Sequence, residues 1–129
     1  MYRILIPIDG SAAALEPVRA AIREARERRD LAIDLVNVQP RFSRHVARFL
    51  SRQMIAAEQE RRASLALSEA ERLLESAGVA HRVHRRTGSI ISEVAALRDS
   101  CQAREVWMGA RRKGYLARAV GGSVVARLI

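Results

Sequence analysis

Short apolar runs alternate with longer amphipathic stretches along this chain. The run Ile4–Ile8 is nearly continuous, which is typical of a strand buried on both faces of a sheet. A third run is weaker, because Val83 is the only strong β-former inside it, and is predicted to be an edge strand. The four predicted strands are residues 3–8, 31–38, 79–86 and 106–108.

Helical periodicity fills the segments between these strands. Pro17 places the start of the first helix nearby, because proline is tolerated only in the first turn, and Ser11 is predicted to cap it. Gly78 is suited to end the long second helix, which can break near residues 44–52. The predicted helices begin near Leu15, His45, Ser89 and Ser123, and the last of them runs to Ile129.

This order predicts a single α/β domain over residues 1–129, in which helices cover a parallel sheet through right-handed crossovers. Ligands of such sheets bind beyond the carboxyl ends of the strands, where the strand order reverses. Two loops meet this condition, 7–11 after the first strand and 109–123 after the fourth.

The two loops offer complementary chemistry. Gly122 and Ser123 precede a predicted helix, an arrangement whose backbone N–H groups can hold a phosphate. Asp9 suits hydroxyl groups, as acidic residues of dinucleotide folds hold a ribose. Both features are also common in proteins that bind nothing. The stretch is neither a P-loop nor a dinucleotide fingerprint.

These residues resemble the universal stress protein (UspA) family over the whole chain. The resemblance rests on ILIPIDGS near the start, Val38, TGS at 87–89, and VWMGA followed by GGSV near the end. It implies an alternating α/β fold with strand order 3-2-1-4-5. Members that bind ATP carry Gly, two residues, Gly, nine residues, then Gly and Ser or Thr.

On this chain the motif's first glycine is Gly109, and its last pair is Gly122 and Ser123. The middle glycine is replaced by Arg112, which either crowds the nucleotide out or clamps its phosphates with a guanidinium fork. The resemblance implies ATP or AMP as ligand, with Mg²⁺ only alongside a nucleotide. It also implies further contacts: Asp9 with the ribose, Pro7, Val38 and Met108 near the adenine, and Val124 near the phosphates.

The family usually continues into a fifth strand, which in many members pairs two protomers. The sequence ends at Ile129, and that strand is expected to be missing. Strand 106–108 would then be a bare apolar edge that invites a partner. A homodimer is therefore expected.

The net charge of +9 comes almost entirely from arginine, since Lys113 is the only lysine. The arginines are scattered among acidic neighbours, so solvated helix faces are favoured over a nucleic-acid surface, for which an aromatic content of 4% is also low. Cys101 is the only cysteine, which fits a reducing cytoplasm. We see no signal peptide and no apolar run long enough to span a membrane.

The remaining reactive side chains are predicted to have structural roles. His81 and His84 would face opposite sides of a strand, which argues against a metal site. Cys101 is expected to be a core thiol, and no catalytic constellation is evident, so an enzyme is not expected. Three hypotheses remain: a nucleotide-binding stress-response module, a nucleotide-free protein that acts through dimerisation or a protein partner, and a basic regulator associated with nucleic acid.

Overall fold

The alternation predicted from the sequence is present in the computed structural model, which describes residues 1–109 and 125–129. The helix expected between 45 and 76 is broken, as the pattern allowed. The elements are β1 (Tyr2–Pro7), α1 (Leu15–Glu27), β2 (Leu31–Gln39), α2 (Arg44–Ala47), α3 (Arg52–Ser76), β3 (His81–Thr87), α4 (Ile90–Cys101), β4 (Glu105–Met108) and β5 (Val125–Leu128).

The strands form a parallel sheet in the order β3-β2-β1-β4-β5. The central strand β1 places Ile4 beside Ile33 of β2 and Glu105 of β4. The order reverses at β1, so the carboxyl ends of β1, β2 and β4 meet at the topological switch point. The prediction that the third strand lies at an edge is confirmed.

The prediction for the end of the chain is wrong. The final apolar residues form β5 instead of a helix, so the fifth strand is present and β4 is not a bare edge. Glu105 of β4 pairs with Val125, and Trp107 pairs with Arg127. Periodicity alone does not separate helix from strand in so short an apolar run, and the open edge of β4 decides for the strand.

The expected helix cap at Ser11 is also wrong. Helix α1 begins at Leu15, and its N-cap residue, Ala14, makes no side-chain cap. The hydroxyl of Ser11 donates to the carboxylate of Asp9 over 2.6 Å, and its Oγ accepts from the N–H of Ala14 over 3.3 Å, in the turn that precedes the helix. Ser11 thereby becomes part of the turn that follows β1.

Two apolar layers hold the sheet. One lies between the sheet and helices α1 and α3 and contains Trp107, which is 1% exposed. The other lies under α4. Gly78 ends α3 in the left-handed conformation, at φ +69°, as predicted. Within residues 1–109 and 125–129, no helix has the length and apolar character needed to cross a membrane.

Candidate functional site

A cavity of about 680 Å³ opens at the carboxyl ends of β1, β2 and β4. It lies where the strand order predicts a ligand site. Of the nine candidate site residues predicted from the sequence, four lie outside the described residues: Arg112, Gly122, Ser123 and Val124. The predicted residues that line the cavity are Pro7, Asp9, Val38, Met108 and Gly109.

The turn after β1 fixes the carboxylate of Asp9 at the cavity wall. Its Oδ1 accepts hydrogen bonds from the backbone N–H of Ser11, over 3.0 Å, and from the hydroxyl of Ser11. Gly10 adopts φ +86°, and a Cβ there would lie 3.3 Å from the Cα of Ala66 in α3. The turn is therefore closely packed on α3, which holds the carboxylate in a defined position.

Gly109 is required by packing as well as by any ligand. A Cβ at this position would lie 2.7 Å from the carbonyl oxygen of Ala13. Only glycine therefore lets the end of β4 approach the loop before α1. The sequence placed Gly109 at the start of a candidate ligand loop but did not reveal this contact with the first loop.

The cavity has an apolar wall and a polar end. Ser89 is the N-cap of α4, and its Oγ accepts from the N–H of Ser92 over 3.5 Å. Backbone N–H groups at a helix start favour anionic groups. The apolar side chains on the wall are Ile8, Val36, Val38, Pro40, Ile90 and Met108.

Sequence reasoning missed the contribution of α4. Gly88, Ser89 and Ile90 all line the cavity, although TGS at 87–89 served only as a family landmark. The backbone N–H of Gly88 donates to the carbonyl of Gln39, which draws the start of α4 to the end of β2. A glycine and a capping serine directly after a strand were the signal that could have identified this edge.

Asn37 holds the loop after β1 in position, and sequence reasoning also missed this residue. Its side chain is 2% exposed, and its Nδ2 donates to the carbonyl of Ile8 over 2.8 Å. Gln39 in turn donates to Oδ1 of Asn37 over 2.8 Å. These bonds tie the end of β2 to the residue before Asp9. An asparagine within an otherwise apolar strand was its only signal in the sequence.

The other reactive side chains lie away from this cavity. His81 contacts the carbonyl of Val79, whereas His84 contacts Asp34. Cys101 packs against the core under α4, and burial raises the pKa of its thiol. Among residues 1–109 and 125–129, no group of three or more His, Cys, Asp or Glu side chains could hold a metal.

Comparison with known proteins identifies a family and a shared fold. The family model described as the universal stress protein family matches residues 1–129. Among curated proteins, no match to the chain is found.

Solved structures share the fold at low sequence identity. A universal stress family protein from Burkholderia pseudomallei is 18% identical, with a TM-score of 0.75, over 98% of this chain and 94% of that one. The universal stress protein from Archaeoglobus fulgidus in complex with dAMP is 22% identical, with a TM-score of 0.71, over 100% and 98% of the two chains. A family protein from Arabidopsis thaliana with AMP bound is 15% identical, with a TM-score of 0.70, over 100% and 90%.

Proposed function

Since this chain belongs to the universal stress protein family, we propose that it binds an adenine nucleotide, AMP or ATP, and serves as a non-catalytic sensing module in a stress response. The observation that carries the proposal is the cavity at the switch point, lined by Pro7, Asp9, Val38, Met108 and Gly109. Its volume of about 680 Å³ lies within the range of small-molecule sites. Relatives with the same fold are described with AMP and dAMP bound.

Each part of the nucleotide has a proposed contact. The adenine would lie against Pro7, Val38 and Met108, which belong to the apolar wall. A ribose hydroxyl would donate to the carboxylate of Asp9, which the turn at Ser11 already orients. A carboxylate is a strong acceptor for such hydroxyls, whereas it would repel a phosphate.

The phosphates would then lie towards the loop after Gly109, with Gly122, Ser123 and Val124 as further contacts. In this proposal Arg112 acts as a guanidinium clamp on the phosphates, in place of the glycine usual in the family's ATP-binding motif. Mg²⁺ would enter only together with a nucleotide, through the phosphate oxygens.

Nucleotide binding can be tested on the purified protein. The nucleotide released on denaturation is identified by chromatography, and AMP and ATP are then titrated in a thermal-shift assay. A ligand at a hundredfold excess over its Kd should raise the Tm by about 10 °C, because it binds only the folded state. Saturating millimolar nucleotide with no shift, and no nucleotide released, would refute the proposal.

Variants of the cavity make the test specific. Asp9→Asn removes the ribose acceptor, and Val38→Phe fills the space beside the apolar wall, so both should reduce the shift. Asp99→Asn is the matched control, because Asp99 is exposed on α4 and does not line the cavity. Equal shifts in all three variants would place the nucleotide elsewhere.

The role of Arg112 is decided by Arg112→Gly. If the arginine clamps phosphate, the variant should bind ATP more weakly, whereas a gain would show that the arginine blocks the site. A binding role without catalysis further predicts no phosphate release from ATP above the buffer rate. Cytoplasmic location completes the proposal and is testable by fractionation.

The second hypothesis, a protein that acts through dimerisation, also has an observation in its favour. β5 is an edge strand whose outer backbone groups can pair with a second copy. We propose a homodimer formed in this way. Light scattering should then give twice the 14.4 kDa of one chain. Ala126→Pro should yield a monomer. A native protein that is monomeric would contradict the proposed homodimer.

A further inference from the structure

A second cavity, of about 470 Å³, lies on the α4 face of the sheet, where it is lined by Arg3 near the amino end of β1 and by alternate residues along β3. It is distinct from the nucleotide crevice, which lies beyond the carboxyl ends. Its polar lining includes Arg3, Arg82, His84, Arg86, Ser100 and Gln102.

The strand pattern gathers these cations. Arg82, His84 and Arg86 alternate along β3, so their side chains share one face of the sheet. Arg3 reaches the same place from β1, across β2. The residue of β2 that lies between them is Asp34, whose register partner on β3 is Arg82.

Asp34 organises the floor of this cavity. It is 0% exposed, and its Oδ1 accepts from Nη1 of Arg3 over 2.5 Å. Its Oδ2 accepts from Nη2 of Arg82 over 2.8 Å and lies 2.8 Å from Nε2 of His84. The carboxylate therefore fixes two guanidinium groups in position, but it supplies only one negative charge.

The cations exceed this single carboxylate. Among the described residues, Arg3, Arg82 and Arg86 stand against Asp34 alone, which leaves an excess of two positive charges, and none of those that line the cavity is a carboxylate. A guanidinium has five N–H donors. Within the described part of the chain, Arg3 uses only Nη1 in side-chain hydrogen bonds, and Arg82 uses only Nε and Nη2. Donors remain on both groups.

The nearby end of α4 does not oppose an anion as strongly as a bare helix end would. Its last carbonyls already accept hydrogen bonds: Leu97 from the hydroxyl of Ser100, and Arg98 from the N–H of Ala103 over 3.0 Å. Satisfied carbonyls present less negative potential to a ligand than orphan ones. The local charge is then dominated by the guanidinium groups.

We propose that this second cavity is a binding site for a phosphate dianion, either free phosphate or the phosphate group of a small monoester. A dianion matches the excess of two charges, and guanidinium forks fit phosphate oxygens with paired hydrogen bonds. Its lining is distinct from that of the nucleotide crevice, because none of the described residues lines both cavities.

The test pairs two neighbouring arginines of β3. Arg86→Gln removes a cavity cation whose one side-chain hydrogen bond within the described part of the chain is to the carbonyl of Arg85. Arg85→Gln is the control: it changes the charge equally, but Arg85 faces the other side of the sheet and pairs with Glu60, 3.1 Å away. Both are surface substitutions, so both variants should fold.

Inorganic phosphate is titrated at constant ionic strength and pH 7.5, and backbone amide and arginine Nε–H signals are followed by NMR. We expect saturable shifts at residues 82–86, an affinity about tenfold weaker in Arg86→Gln, and no change in Arg85→Gln. Equal weakening in both variants, shifts centred on Gly88 and Gly109, or no saturation would each overturn the proposal.

Glycerol phosphate is titrated in parallel to identify the source of the anion. Equal affinity for the two probes indicates that the site recognises the phosphate group alone, as in free phosphate. Tighter binding of the monoester indicates that the rest of the cavity contacts its organic part. Both results support a phosphate site and differ only in its ligand.

Discussion

Asp34→Asn is the substitution whose effect follows most directly from the structure. The variant keeps the shape of the side chain and removes the charge beneath Arg3 and Arg82. An asparagine amide keeps one acceptor oxygen, but its NH₂ group would face other donors. The fully buried position gives it no access to water in compensation.

The magnitude depends on how far the stranded cations can reach water. Breaking a buried ion pair costs about 3–5 kcal/mol, because the remaining charge is left uncompensated. The side chain of Arg82 is 54% exposed and can turn to solvent, whereas that of Arg3 is 21% exposed and cannot do so freely. We therefore expect the lower end, about 3 kcal/mol at pH 7, or a fall in Tm of about 10 °C.

The same contact predicts the pH dependence. Burial raises the pKa of Asp34, but hydrogen bonds from Arg82, His84 and Arg3 outweigh it and hold the pKa below its ordinary value of 3.8. A carboxyl whose pKa is lower in the folded state contributes its full stabilisation above the unfolded pKa. That contribution is lost as the pH falls below about 4 and through the folded pKa.

Urea unfolding, followed by circular dichroism at pH 7 and at intervals down to pH 3, measures both effects. The difference between wild type and Asp34→Asn should be largest at neutral pH and should shrink below pH about 4. Asp99→Asn is the control, because its carboxylate is exposed. A difference at pH 7 under about 0.5 kcal/mol, typical of surface substitutions, would refute the reasoning.

Three further predictions address the sheet and its thiol. Gly109→Ala should destabilise the fold by about 1–3 kcal/mol in urea unfolding even without nucleotide, because its Cβ would meet the carbonyl of Ala13; an unchanged midpoint would contradict that contact. Arg127→Ala should cost about 2 kcal/mol, since Glu105, whose side chain is 5% exposed, loses a partner 3.1 Å away; no loss would argue against the docking of β5. In the folded protein, Cys101 should react with a disulfide reagent at pH 8 more slowly than a small free thiol, because burial raises the pKa of its thiol. In urea, where the protein is unfolded, Cys101 should react as fast as the free thiol; fast reaction of the folded protein would contradict this prediction.

Local sequence patterns predicted the strands and helix ends whose conformation depends on neighbouring residues in the sequence. β1 and β2 are apolar runs of strand length, and Gly78 ends α3 in the conformation expected of a C-terminal glycine. β5 differs, because the same short apolar run could have continued a helix or joined a sheet. It forms a strand because it pairs with β4, which lies some twenty residues earlier in the chain. The sequence pattern does not show that the two segments are neighbours.

The candidate site was predictable where a residue follows a strand. Asp9 lies two residues after β1 and Gly109 directly after β4, so topology alone brings them to one edge. Asn37 and Ser89 act through hydrogen bonds and a helix start that only the fold aligns with that edge. The burial of Asp34 was hidden for the same reason, since its arginine partners lie 31 and 48 residues away.

The two proposed sites can be tested independently because different described residues line them. From Arg3 to Asp9 the chain takes six steps, four of them within β1, and at about 3.3 Å per residue this is roughly 20 Å. At physiological ionic strength charges are screened over about 8 Å, so a phosphate at one end alters the field at the other very little. Arg86 is the register partner of Val38, whose proposed contact with the adenine is apolar, so Arg86→Gln should keep most of the thermal shift with AMP. Asp9→Asn should keep its affinity for inorganic phosphate. If either variant impaired both ligands, the two cavities would have to communicate through the strands of the sheet, and charge alone could not explain it.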